Sequence, residues 1–287
     1  MASKTLDTRL SYSSAKLLKN CSQKYHYYKV QGLKKDADST QNEDAFNVGK
    51  AFHWVLETNG HTEKDLQKLV VAACKSYEVE SHQAMIHAML LRYLQVHQKS
   101  GMKVVGCELG LSTPDFIGFI DVVLADEEGG WYIADMKTAK MISDITIAGL
   151  ALDDQLNLYA SFAKEVSVAY KLDLKKFKGC RYRVTSKSVL KRKGTESYNE
   201  HVRRTAKNVK SFDYIIPIEI MDPKGTMALH KKLHAKSLRL RKGTLKPEKN
   251  RDHCSSYFRS CEWYSNCYGD TFTNLKDALE VVTSDNV

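Results

Sequence analysis

The spacing of apolar positions changes along the chain, and each change marks a predicted element. Over Leu10–Leu33, Ala15, Leu17, Leu18, Tyr25, Tyr28 and Val30 recur at helical spacing. Ser11, Ser13 and Ser14 offer N-caps and Gly32 supplies a stop. Lys34–Asn42 is polar and reads as a loop. Ala45–Glu57 predicts a second helix, with Phe46, Gly49, Phe52, His53 and Leu56 at helical spacing, and Glu63–Ser76 and Ser81–Gln98 predict two more. The period then falls to two. Lys103–Ser112, Phe116–Ala125 and Trp131–Thr138 read as strands, the last two joined into a hairpin by the acidic, glycine-containing turn Asp126–Gly130. Helical spacing returns over Gly149–Glu165. Gly179–Ser186 and Phe212–Glu219 predict further strands, separated by a polar, basic stretch. Pro223 opens a helix that runs to about Lys242 and ends at Gly243, and Leu275–Val282 predicts a short closing helix. The pattern divides into a helical portion (1–100), an α/β core (101–222) and a C-terminal segment (223–287), expected to pack as one compact unit. No internal repeat or low-complexity linker interrupts it.

The hairpin carries charges that an ordinary buried sheet does not. Asp121 sits between Ile120 and Val122, Asp135 between Ala134 and Met136, and Lys137 follows two residues later. Alternation puts Asp135 and Lys137 on one face of their strand. Neighbouring strands lie about 4.8 Å apart, so Asp121 can bring a second carboxylate to that face. Two carboxylates beside an ammonium can bind a hard divalent metal and hold a water against a phosphate. The same residues would also serve as an exposed charge pair and an edge aspartate.

Composition narrows the class. At 43% hydrophobic and 27% charged residues, the chain is ordinary for a globular protein with a sizeable core. No apolar run reaches the roughly 18 residues of a membrane span, and the N-terminus has no apolar signal region. A cytoplasmic location is therefore expected, where the seven cysteines would be free, metal-bound or cluster-bound rather than bridged. The net charge of +10 is concentrated in blocks. Lys175–Lys193 holds nine Lys or Arg and no acid, and His230–Arg251 holds nine with Glu248 as the only acid. Such blocks suit a polyanion, nucleic acid by default, and equally describe solvated faces.

More distant residues complete an ordered pattern. His53 lies in GKAFHWVLE on an early helix, Glu108 in the strand before the hairpin, and Gln155 and Tyr159 one turn apart on the helix after it. A His on a helix, an Asp in a strand, Asp-x-Lys-Thr in the next and Gln-x-x-x-Tyr on the following helix together resemble the RecB-like branch of the PD-(D/E)XK nuclease superfamily. The opening LSYSSAKLLKNCSQKYHYYKVQGL resembles that branch's N-terminal segment. The likeness runs from Leu10 to about Phe162 and resumes at the C-terminal cysteines.

The resemblance implies a restriction-endonuclease-like α/β fold, with a mixed central sheet flanked by helices, a helical N-terminal portion and a Cys-rich C-terminal segment. It makes Asp121 and Asp135 ligands of Mg²⁺ or Mn²⁺, joined by His53 and the Met136 carbonyl. Lys137 would orient or help deprotonate the attacking water, Gln155 and Tyr159 would touch the strand or support the metal residues, and Glu108 would be an auxiliary acid. Ile120 stands where the superfamily's proline often precedes the first Asp. Lys187, Lys191, Arg192, Lys231, Lys232 and Arg239, with aromatics such as Tyr182, Tyr257 and Trp263, are candidates for lining a strand-binding groove.

Cys254, Cys261 and Cys267, with Cys21 far upstream, resemble the lone-then-trio arrangement by which iron–sulfur nucleases of this branch hold a [4Fe–4S] cluster. The gaps here are six and five residues, the first longer than usual, and Zn²⁺ on four thiolates is the rival. Cys74, Cys107 and Cys180 read as core residues.

The implied activity is an exonuclease on single-stranded or end-containing DNA, leaving a 5′-phosphate and a 3′-hydroxyl, in recombination, repair or phage genome processing. The bacterial or phage-encoded enzyme would work with a helicase or recombinase partner. No G-x-x-x-x-G-K-[ST] motif gives the chain a motor of its own. A CRISPR-adaptation-type end trimmer, a structure-specific endonuclease and a non-catalytic DNA-binding subunit are the alternatives. Retention of Asp121, Asp135 and Lys137 argues against the last.

Overall fold

The alternating segments pair into one five-stranded sheet, ordered β1 (Lys103–Ser112), β2 (Ile117–Ala125), β3 (Trp131–Ala139), β4 (Phe177–Ser186) and β5 (Ser211–Pro217). Only the β3–β4 pairing is parallel, so the sheet is mixed. Helices flank it, which fits the restriction-endonuclease-like layout. This computed structural model describes residues 8–33, 40–59, 61–140, 142–143, 153–188, 190–256 and 259–268. The predicted helix Leu275–Val282 and Tyr257 lie outside them. The chain forms two compact units, one of Met1–Ala37, Pro114–Phe116 and Leu229–Val287, the other of Asp38–Thr113 and Ile117–Ala228. Among the described residues no helix is long and apolar enough to cross a membrane.

In the first unit the expected single helix over Leu10–Leu33 is broken. Helix α1 (Tyr12–Asn20) starts at Ser11, whose side chain accepts from Ser14 N–H, and stops at Cys21, which is extended (φ −159°, ψ 109°). The short α2 (Ser22–Tyr25) and a wider turn over His26–Val30 follow, and Gly32 leaves with φ +68°. Leu10, Ala15, Leu18 and Tyr25 pack with Leu240 from the helix over Pro223–Arg241.

The second unit holds the sheet. Helices α3 (Thr40–Asn59), α4 (Leu66–Ser76) and α5 (Gln83–Lys99) bury Phe52, Val55, Val70, Ile86 and Leu90 against Val122, Leu124, Ala134 and Met136 on one sheet face. The other face, with Ile133, Asp135 and Cys180, lies under α6 (Asp154–Ala160), where Cys180 Sγ donates to the Leu156 carbonyl at 3.5 Å. The expected helix Gly149–Glu165 is described only from Asp153, which caps α6, and it breaks before α7 (Ala163–Tyr170).

The basic stretch between the last two strands contains an unexpected helix, α8 (Tyr198–Asn208), started by a reciprocal capping box between Ser197 and Glu200. Its buried side is His201, Val202, Thr205 and Ala206, half of it polar, so no apolar stripe announces it. The charge block Lys175–Lys193 is also less of a surface than its composition suggests. Arg181 and Arg183 are buried and both pair with Asp213 on β5, at 2.8 and 3.1 Å. Arg183 Nη1 also donates to His97 Nδ1 at 2.6 Å, and burial, then Arg183, pushes the His97 pKa down to about 4.

The β2–β3 turn is tightly specified. Asp126 Oδ1 accepts from Glu128 and Gly130 N–H, Asp126 N–H donates to the Gly130 carbonyl, and Gly129 takes φ +80°.

Candidate metal centre

The β2–β3 ladder runs from Ala125↔Trp131 to Val122↔Ala134. One residue further, Asp121 Oδ2 accepts the Met136 N–H at 2.8 Å. A side chain thus takes over from the backbone where the ladder ends, and a buried donor that would otherwise be stranded is satisfied. Helix α3 reaches this fork. Gly49 brings it close to β3, since a Cβ there would lie 3.4 Å from Thr138 Oγ1. One turn later His53 Nδ1 stands 3.6 Å from Asp121 Oδ2.

Glu108 enters from the other side. It lies in β1 between the pairs Cys107↔Val122 and Leu109↔Ile120, yet has φ +48°. That left-handed conformation costs a non-glycine residue about 1 kcal/mol or more. Ligand atoms of His53, Glu108 and Asp121 all lie within 4.8 Å of one another, the only such group among the described residues. One imidazole and two carboxylates suit a divalent cation. Asp135 and Lys137 form a second arrangement next to it. Lys137 Nζ lies 2.7 Å from Asp135 Oδ2 and donates to Gln155 Oε1 at 2.8 Å. Gln155 Nε2 donates to Asp135 Oδ1 at 2.7 Å and to the Tyr159 hydroxyl at 3.2 Å. The cap at Asp153, which accepts from Gln155 N–H at 2.9 Å, fixes the first turn from which Gln155 reaches both groups.

The electrostatics are those of three carboxylates gathered around a single ammonium, Lys137. Burial raises the pKa of Asp121, against the Met136 hydrogen bond and Lys137. Burial and then the Asp121 charge raise that of Asp135. Burial, Asp121 and Glu57 push Glu108 up to about 7. Burial lowers the His53 pKa, so the ring is neutral with a lone pair to offer. For Lys137 burial acts downward, but Asp135 and Asp121 outweigh it and keep the ammonium charged. A bound cation would relieve the mutual repulsion, and the donor set fits one.

All the sequence candidates around the hairpin meet here: His53, Glu108, Asp121, Asp135, Met136, Lys137, Gln155 and Tyr159. Glu108 is drawn in further than an auxiliary acid, a consequence of its backbone that spacing does not announce. Glu57, one turn after His53 on α3, influences Glu108 and was not singled out by the sequence.

The groove candidates fare differently. Lys187 is near the site elements, its Nζ donating to the Ala45 carbonyl at 2.7 Å, while Lys191 and Arg192 are exposed. Lys231, Lys232 and Arg239 are exposed on the helix of the first unit. Tyr182 is fully buried with Lys137 Nζ 5.9 Å from its ring centroid, and Trp263 is packed against Tyr27 and Tyr28. Neither can line an open groove, because their ring faces are spent inside the protein.

The cysteines of the trio and Cys21 are brought together within the first unit. Asn250 donates to the Asn20 carbonyl at 2.9 Å, Glu248 N–H donates to Ser22 Oγ at 2.8 Å, and Lys24 pairs with Glu262 at 3.0 Å. All four thiols are free and partly buried. Cys267 is raised chiefly by burial, with Cys21 and Cys254 adding to it. The thiols do not form a group of ligand atoms as close as that at His53. Sulfurs around a single zinc ion would lie about 3.8 Å apart, given Zn–S bonds of about 2.3 Å in a tetrahedron. Cys74 and Cys180 are buried, as expected of core residues, and Cys107 is partly buried against the core.

The family model of the PD-(D/E)XK nuclease superfamily matches residues 9–268. No curated protein matches the chain.

Proposed function

Because the chain belongs to the PD-(D/E)XK nuclease superfamily, whose members are metal-dependent nucleases, we propose that it is a Mg²⁺- or Mn²⁺-dependent DNA exonuclease. Hydrolysis would leave a 5′-phosphate and a 3′-hydroxyl, in recombination, repair or phage genome processing. The observation that carries this reading is the close group of His53, Glu108 and Asp121 beside the Asp135–Lys137–Gln155 array. His53, Asp121 and Glu108 would hold the ion, with Asp135 and the Met136 carbonyl completing its surroundings. The ion would polarise the phosphate and lower the pKa of a bound water. The neutral His53 ring is in the state a ligand needs and favours Mn²⁺ over Mg²⁺. Lys137, kept cationic by Asp135, orients the attacking water and stabilises charge developing on the phosphate. Gln155 fixes both by bridging them, and Tyr159 supports Gln155.

In the first unit, Cys21, Cys254, Cys261 and Cys267 would hold a [4Fe–4S] cluster with a structural role. Their gathering on segments tied together by hydrogen bonds supports a group held by four thiolates. Protein purified without oxygen should then be brown, and a colourless, zinc-loaded protein would refute the cluster.

The decisive assay is digestion of end-labelled linear and circular DNA, single- and double-stranded, with Mg²⁺ and with Mn²⁺. Degradation confined to ends supports the exonuclease. Cutting of the circle would replace it with an endonuclease, and no cutting of any DNA would leave a non-catalytic DNA-binding subunit.

A further inference from the structure

Asp121 shares its face of β2 with Phe119, two residues earlier. Along that face Val123 is buried, Asp121 half-buried and Phe119 54% exposed, so it opens to solvent just past the carboxylate. The residue paired with Phe119 across the ladder is Gly110, where a Cβ would lie 3.5 Å from ring carbon Cε1. The ring therefore lies over Gly110 while just over half of the residue stays exposed. Helix α3 repeats the theme. Phe46 is 65% exposed, with Lys50 Nζ 4.3 Å from its ring centroid. Seven residues separate Phe46 from His53, which puts both on one side of the helix.

Single exposed aromatics are common on protein surfaces. Here both elements that bring His53 and Asp121 together present one, each on the side that carries the candidate ligand. Two residues of strand span about 6.6 Å, within reach of a base attached to a phosphate held at the carboxylates. Aromatic faces hold single strands by stacking, and a base in a closed duplex has no free face to offer.

We propose that Phe119 is a stacking platform for an unpaired base beside the scissile phosphate, so that the site takes single-stranded or frayed-end DNA in preference to closed duplex. The proposal rests on the nuclease reading and assigns the expected preference for single-stranded or end-containing DNA to one residue.

The test is a double-mutant cycle on the full chain, between the side chain and the base. Wild type, Phe119→Leu and Phe119→Trp are titrated by fluorescence anisotropy with a labelled single strand, intact or with one abasic position moved along it. Titrations are run in Ca²⁺, with cleavage scored in parallel in Mg²⁺ and Mn²⁺. Phe119→Leu should weaken binding of the intact strand on the order of 10- to 100-fold. It should weaken closed-duplex binding far less, and Phe119→Trp should restore the loss. One abasic position should cost wild type a similar factor and cost Phe119→Leu nothing further. Equal binding by wild type and Phe119→Leu, or the same abasic profile in both, would overturn the platform. Coupling without any cleavage would sink the nuclease reading and leave the platform standing. Cleavage without coupling would do the reverse.

Discussion

Gln155 accepts from Lys137 Nζ at 2.8 Å through Oε1 and, through Nε2, ties that ammonium to Asp135 Oδ1 at 2.7 Å. One amide thus fixes the orientation of the carboxylate and the ammonium relative to each other. Gln155→Ala should lower kcat about 10- to 100-fold with little change in thermal unfolding, because Lys137 keeps its contact with Asp135. Gln155→Glu should be worse than its size suggests, since it sets another carboxylate against Asp135 and loses the donor. Single-turnover rates at saturating metal, beside thermal melts, check both.

Asp121→Asn keeps an acceptor for Met136 N–H and removes one of the buried charges that repel each other. Without metal the variant should melt at or above the wild-type temperature. Divalent ion at 100 times its dissociation constant should stabilise wild type by about 2.7 kcal/mol and the variant far less. Cleavage should fall by at least two orders of magnitude. Calorimetric melts with and without Mn²⁺, paired with rate measurements, make the comparison.

The raised Glu108 carboxyl has a calculable sign. Its folded pKa of about 7 lies above the ordinary carboxyl value of 4.5, so between those values the folded state binds more protons than the unfolded. Stability from this group is complete at low pH and is lost as pH rises through about 7. In metal-free protein, Glu108→Gln should therefore match wild type near pH 4 and exceed it above pH 7. Metal competes with the same protons, so apparent affinity should climb with pH up to about 7 and then flatten. Denaturation and metal titrations across pH 4–8 test both halves.

Asp213 pairs with both Arg181 and Arg183, whose side chains are 7% and 2% exposed. Asp213→Asn would leave two buried guanidinium groups without a counter-charge and should cost about 3 kcal/mol or more. Replacing an exposed base such as Lys191 should cost almost nothing. Urea unfolding followed by circular dichroism distinguishes the two.

What sequence could show follows from which interactions are local. Alternation in a strand is enough to align Asp135 with Lys137, and one helical turn aligns Gln155 with Tyr159. Those placements depend on neighbours two or four residues away. Glu108 depends on a positive φ inside a strand, which no residue type announces. Helix α8 shows no apolar period because His201 and Thr205 occupy buried positions that such a period reserves for apolar residues. Arg181 and Arg183 looked like surface charge because their partner, Asp213, lies some thirty residues away. The break at Cys21 likewise answers to hydrogen bonds with residues near Asn250, at the far end of the chain.

The turn that joins β2 to β3 sits at the opposite end of the hairpin from every group assigned to the chemistry. It is nonetheless the gauge of the site. Side chains alternate between faces, so shifting β3 against β2 by a single residue would exchange Asp135 and Lys137 for Ala134 and Met136. Asp126 and Gly129 thereby settle which residues meet the substrate. A one-residue insertion at Glu127 should disarm the protein without removing any residue from the site, while a change that preserves register at that turn should pass almost unnoticed.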